Sequence, residues 1–360
     1  MSNHNETIQK DEIKNYFVHG AVLIDVDGAS LNGWGSDSTN TQGMENTSAV
    51  KKVKKNGKWY AVVSGQAWRY WWRETLGYNG WNLSPITRDK KVAFTDANPL
   101  KYPDDDIFGY MKAAKEEQEV NGKKKKVDVS VTRISPLKNS ILTSVAPTKI
   151  ENEFSTMARQ DGDAVPYEKQ FYSTILKGLF SVDLDQAGTF SKVNRSGYKN
   201  VTDSLYSEIL ENSGYEVSDL INPSIKRARL GKNTRISRVK DTILALKSIA
   251  GGAHRTTNYV SVKPDFIILA ILKGGNNIFD NIAVEEDSRA TISTKAIIDT
   301  IKDNKEFLRS DVYIGKADGF MDDVILKEIQ VDGISIHTGL VNEMIDKFVK
   351  EVENIINLMD

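Results

Sequence analysis

No cysteine occurs among the 360 residues, which excludes disulfides, thiolate nucleophiles and cysteine-ligated zinc. Proline is scarce, with 8 residues, and no proline-rich linker divides the chain. Histidine is scarcer still: His4, His19, His254 and His337 are too scattered in sequence to suggest a metal site. Long apolar runs are also missing. Phe266–Leu272 is far short of the roughly 20 residues a membrane helix needs. The polar start Met1–Gln9 carries no secretory pattern, so the expected compartment is the cytoplasm. No His-x-x-x-His, Gly-x-Ser-x-Gly or Walker loop is present. These absences leave no positive case for an enzyme and no reason to expect a cofactor or metal.

What is present suits a soluble globular chain: 39% hydrophobic and 27% charged residues are enough to build a core and solvate it. The net charge of −1 is unevenly spread. Residues 221–255 hold nine basic side chains (Lys226, Arg227, Arg229, Lys232, Arg235, Arg238, Lys240, Lys247, Arg255) against Asp241 alone. Residues 280–360 hold eighteen acids against nine bases. A basic block inside a neutral chain is a footprint for phosphate, although a solvated helix face gives the same pattern.

Hydrophobic periodicity predicts a buried strand over Tyr16–Val26 and a Gly/Asn/Ser/Thr loop over Gly28–Ser48. A basic hairpin tip follows at Lys51–Gly57, and Lys58–Val63 returns as a strand. Ser64 to Leu76 reads as a helix capped by Ser64 and closed by Gly77. Residues 78–132 read as an insertion projecting from the core, with the acidic triplet Asp104–Asp106 and a turn at Asn121-Gly122. Glu151–Pro166 reads as a second protrusion. Strands are expected around Phe180–Leu184 and within Tyr259–Leu272, and helices at Val201–Glu211, Ser237–Ala250, Thr291–Asn304 and Leu340–Leu358. The sum is an α+β sandwich with helices on one face of an antiparallel sheet.

Five constellations bear on chemistry. In Val63–Leu76, Trp68, Trp71 and Trp72 share one side of the helix, and Gln66, Arg69 and Arg73 another. The tryptophans read as packing. The helix start Ser64-Gly65-Gln66 offers backbone N–H groups to an anion. In Ala250–Asn258, Gly251 and Gly252 permit a backbone nest, with His254 and Arg255 as added donors; a glycine cap and turn is the blander reading. In Ile221–Lys240, Lys226, Arg227, Arg229, Arg235 and Arg238 suit phosphate contacts. In the second protrusion, Phe154 and Met157 form an apolar tip beside Arg159, fit to wedge between bases, or simply a surface loop. Last, Asp25 and Asp27 near the end of the first strand could hold Mg²⁺ and cleave RNA, or cap a strand end.

Taken in order, His19-Gly20, Ser30-Leu31-Asn32-Gly33, Val63-Ser-Gly-Gln-Ala-x-Arg69, Arg133-Ile-Ser-Pro-Leu137, Pro166-Tyr-Glu168, Phe180-Ser-Val-Asp-Leu184, Gly188-Thr-Phe190 and Gly251-Gly-Ala253 form a pattern. The chain resembles the DevR-type autoregulator family of CRISPR-associated proteins, the backbone subunits of type I-B Cascade, over roughly Phe17–Leu272. The resemblance implies one RRM-like (ferredoxin-like) antiparallel palm over residues 1–360. Residues 78–132 would be fingers, 150–170 a thumb, and 280–360 an acidic helical part of the palm. It implies a non-catalytic subunit that stacks head to tail with copies of itself along crRNA. Such a subunit would present the guide for pairing with target DNA beside other Cascade subunits, in antiviral defence or guided transposition. By carry-over, Ser64, Gly65, Gln66, Arg69 and Arg73 lie on the helix that faces RNA, Gly251, Gly252, His254 and Arg255 on the glycine loop, and Phe154–Arg159 in the thumb; His19, Asn32, Arg133 and the basic residues Lys226, Arg227, Arg229, Arg235 and Arg238 are also expected to face RNA. The alternatives are a ribonuclease using Asp25 or Asp27, and a DNA-binding regulator, for which no helix-turn-helix pattern stands out.

Overall fold

The computed structural model describes residues 14–35, 47–120, 123–157, 161–163, 165–194 and 199–359. Its frame consists of β1 Tyr16–Ala29, β2 Lys52–Lys55, β3 Lys58–Val63, α1 Gly65–Tyr78, β4 Leu142–Ser144, β5 Val165–Asp183, α2 Lys232–Leu244, β6 Phe266–Lys273, β7 Val312–Lys316, β8 Ile336–Gly339 and α3 Val341–Met359. The main sheet runs β8-β7-β6-β1-β5-β4-β3-β2. Along that path every pairing is antiparallel except β7 with β8.

β1 is central because both of its faces are apolar. Val18, Val22, Ile24 and Val26 face one core, while Ala21 and Leu23 face another. β6 divides the same way, with Ile267, Leu269 and Ile271 on one side and Phe266, Ile268 and Ala270 on the other. A strand buried on both faces needs this continuous apolar run, since successive side chains alternate. Gly20 is required where β1 meets β5, because a Cβ there would sit 2.2 Å from the Phe180 ring.

α1, α2 and α3 cover the first face with Trp68, Trp72, Val239, Ile243, Met344 and Phe348. The second face is also covered. Phe279, Ile282 and the helix Thr294–Asp303, through Ile297 and Ile301, pack against β6 and β7. The expected one-sided arrangement is therefore corrected. The acidic C-terminal part divides, with residues 279–331 on one face and α3 on the other.

Within the expected insertion, residues 85–93 are exposed, but the following stretch folds back. Tyr102, Asp104, Asp105, Asp106 and Ile107 are buried around the short helix Pro103–Phe108. Beyond it, strands Tyr110–Val120 and Lys123–Arg133 pair as a hairpin whose expected turn, Asn121-Gly122, lies outside the described residues. β5 outruns the sheet, and its first part pairs with Glu151–Met157 to make an arm. The basic 221–240 segment is ordered by its own chain. Lys226–Arg229 is the middle strand of a small sheet with Thr189–Phe190 and Tyr215–Ser218, and α2 follows. Among the described residues no helix is long and apolar enough to cross a membrane.

Candidate nucleic-acid interface

α1 starts where β3 leaves the sheet. Ser64 has extended backbone, and its hydroxyl accepts from the Ala67 N–H at 3.2 Å, fixing the first turn. The Ser64 N–H donates to Asn32 Oδ1 at 3.1 Å, which ties the helix start to the loop after β1. Gln66 remains exposed. Behind this start the tryptophans pack as expected. Trp72 donates to the Thr242 carbonyl at 2.7 Å and meets Phe180 edge-on.

The glycine loop closes on the same place. A Cβ at Gly251 would lie 2.1 Å from Trp71, and Gly252, with φ +100°, lies against Leu31. Both glycines are thus explained by close approach of backbone to side chains. The Ala253 N–H bonds the Leu31 carbonyl at 3.0 Å. His254 adopts a left-handed conformation and is exposed, with Nε2 at 3.5 Å from Ser48 Oγ. Arg255 is exposed. Asn258 donates to the Gly28 carbonyl at 2.7 Å and accepts from Lys169 Nζ at 2.9 Å, joining the loop to the base of the arm. Lys169 also pairs with Glu153 of the arm at 3.0 Å. Loop 28–33, the α1 start, loop 251–258 and the arm base therefore form one surface.

The arginines go elsewhere. Arg69 donates to the carbonyls of Leu137 and Phe108, to Asn139 Oδ1 and to Ser135 Oγ, all at 2.8–2.9 Å. Burial lowers its pKa to about 10, which still leaves it charged at neutral pH. Arg73 holds Asp104 Oδ2 at 2.8 Å and the Ser84 carbonyl at 2.9 Å. Arg133 and Arg238 share Asp106, Arg238 at 2.7 Å. Arg227 and Arg229 share Asp185, Arg227 at 2.6 Å. Arg235, fully buried, donates to the carbonyls of Ala187 and Leu184 at 2.9 and 2.7 Å. Lys240 pairs with Glu353 and Lys247 with Asp346, so α3 neutralises part of the basic block. Lys226 is exposed and donates to Ser218 Oγ at 2.8 Å. Arg69 and Arg235, expected to face RNA, are instead satisfied within the fold. The guanidiniums are drawn inward because buried carboxylates and carbonyls lie within reach.

His19 is also buried, with Nε2 at 2.9 Å from the Gly274 carbonyl. Burial holds its pKa below the usual imidazole value, partly offset by that bond. Phe154 and Met157 stand on the arm, 69% and 58% exposed, whereas Arg159 lies outside the described residues. Asp25 and Asp27 are exposed. The Asp25 N–H donates to Asp265 at 2.8 Å, and the Ser173 hydroxyl donates to Asp27. Partial burial, and then the charge of Asp27, raise the Asp25 pKa.

The model of the CRISPR-associated negative auto-regulator DevR/Csa2 family matches residues 20–287. The chain belongs to this family. No curated protein matches the sequence. A solved chain from a CRISPR RNA-guided surveillance complex superposes with a TM-score of 0.52 at 14% identity, covering 93% of this chain and 99% of that one. A second, from such a complex in a pre-nicking state, gives 0.51 at 12% identity with the same coverage. At those identities the likeness is one of fold.

In this DevR/Csa2 member, sequence reasoning missed Lys169 and Asn258, two chemically ordinary residues from distant segments. It also missed Asp106 and Asp185 as arginine partners. For Asp106 a signal existed: three consecutive acids before an apolar pair suit a buried electrostatic anchor as well as a solvated loop.

Proposed function

We propose that the chain is a non-catalytic guide-RNA-binding backbone subunit of a type I-B CRISPR surveillance complex, stacked head to tail along crRNA. The observation that carries this reading is the shared surface of loop 28–33, the α1 start, loop 251–258 and the arm base. Gln66, His254 and Arg255 face solvent there. Family membership and the fold likeness support it. The strand order β6-β1-β5-β4, with α1 and α2 as the two helices between strands, supports an RRM-like palm. The exposed apolar Phe154 and Met157 on an arm tied to the glycine loop suit a wedge between guide bases. Specificity would rest on base pairing with target DNA, and the protein would read backbone and shape.

The test is to purify the chain with its neighbouring subunits and extract RNA. Guide RNA of uniform length supports the reading, and RNA-free complex refutes it. Phe154→Ala with Met157→Ala should change nuclease accessibility of the guide at regular intervals without loss of folding. A ribonuclease reading through Asp25 or Asp27 requires periodic cuts in matching RNA with Mg²⁺ that vanish in the Asp→Ala variants. A regulator reading requires duplex DNA to bind more tightly than RNA.

A further inference from the structure

The segment Lys51–Lys58 holds five lysines and no acid. Asn56 and Gly57, with φ 49° and 79°, make the two-residue turn between β2 and β3. β2 is the outer edge of the main sheet. Lys54 lies opposite Trp59 in register, and Lys55 opposite Lys58. The ammonium groups of Lys52 and Lys54 sit 5.4 and 5.7 Å from the Trp59 ring centre, and that of Lys55 5.9 Å from Tyr60. Trp59 is 44% exposed. Among the described residues Lys54 and Lys55 have no carboxylate partner, whereas Lys58 pairs with Glu285 at 3.0 Å.

Edge lysines guard a sheet against pairing with another chain. That role needs one or two charges and is weakened by an open indole beside them. Lysines around an exposed aromatic ring on a hairpin have a different chemical match: phosphates for the ammonium groups and a base for the ring. The site is separate from the surface described above. Six residues of β3 carry the chain roughly 20 Å from the tip to the start of α1. The Lys51 N–H bonds the Asn32 carbonyl at 3.0 Å, which joins the two. A lysine track therefore leads from the guide-binding surface outward to the hairpin tip.

We propose that the β2–β3 hairpin is a second contact for single-stranded nucleic acid, one that holds a strand other than the guide. Lys54 and Lys55 bind its phosphates, and Trp59 stacks on a base. This rests on the guide-binding reading, because it assumes that the first surface is already filled.

The guide-loaded complex is titrated with fluorescein-labelled oligothymidine and oligouridine of about 20 nucleotides, unrelated to the guide, at about 50 to 200 mM salt. The Lys54→Glu/Lys55→Glu double variant should weaken both probes roughly tenfold and lower the slope of log affinity against log salt by about 1.4. Trp59→Leu should weaken them roughly tenfold with the slope unchanged. Extracted guide content should match wild type in both. Tighter oligothymidine binding names a DNA strand as the occupant, and tighter oligouridine binding an RNA strand. Unchanged probe affinity in both variants overturns the proposal, as does loss of guide, which would make the hairpin part of the first surface. Wild-type complex that carries no guide sinks the guide-binding reading alone. The same probes and variants then test the hairpin on the free chain.

Discussion

Around the helix Pro103–Phe108 and the turn Asp183–Phe190, seven arginines meet carboxylates of their own chain or carbonyls of the backbone. At the loop cluster and the β2–β3 hairpin, the cations Arg255, Lys54 and Lys55 face solvent. The two regions carry the same positive charge in opposite surroundings. Burial decides between them. A buried guanidinium needs its donors met within the fold, and once they are met it has little left for a ligand. An exposed cation gains little from surface pairing and is available to phosphate.

The comparison breaks most sharply at Asp106. Asp106→Ala leaves Arg133 and Arg238 buried without their shared carboxylate and should destabilise the chain by about 3–5 kcal/mol in urea denaturation. If stability held while RNA binding fell, the cluster would belong to the interface after all.

Gly251→Ala sets a methyl against Trp71 and should cost about 1–3 kcal/mol, measured the same way, while also displacing the glycine loop and loosening RNA. On the exposed side, Arg255→Glu should change stability by less than about 0.5 kcal/mol. The same change should weaken RNA binding about tenfold and reduce its salt slope by about one. Equal loss of binding from Arg235→Met and Arg255→Glu, with both proteins folded, would erase the distinction drawn here.

The smallest effect is a pH dependence. Burial, ahead of the nearby Asp185 charge, raises the Asp183 pKa from 3.8 to about 6. The folded state then holds its proton more tightly than the unfolded chain does. Its contribution is full below about pH 4 and is lost as pH rises through about 6. Asp183→Asn keeps an acceptor for the Asp185 and Gln186 N–H groups. It should flatten the fall in stability between those pH values, read from midpoints of thermal unfolding.

Much of the frame was legible from the chain. The Ser64 cap, the tryptophan side of α1, β1 and the stripe on α3 follow from local periodicity, which a helix or strand obeys whatever surrounds it. The candidate site was legible in part. Asn32, Ser64, Gly251 and Gly252 do meet, because each sits at an end of an element whose position was readable. The arginines misled because Arg133 and Arg238 carry no mark of the Asp106 they share across 27 and 132 residues of chain. Lys169 and Asn258 were overlooked because an isolated lysine and asparagine carry no spacing signal.

Composition and order of residues alone therefore settled the α+β class, the starts of α1 and α3, the absence of thiol chemistry and the family pattern. Each of these depends on covalent content or on contacts within a few residues. Only the tertiary structure decided which cations are buried and which are free, and that the second sheet face is covered. Burial and ion pairing are set by segments far apart in sequence, and their energies depend on exclusion of water, which no local pattern encodes.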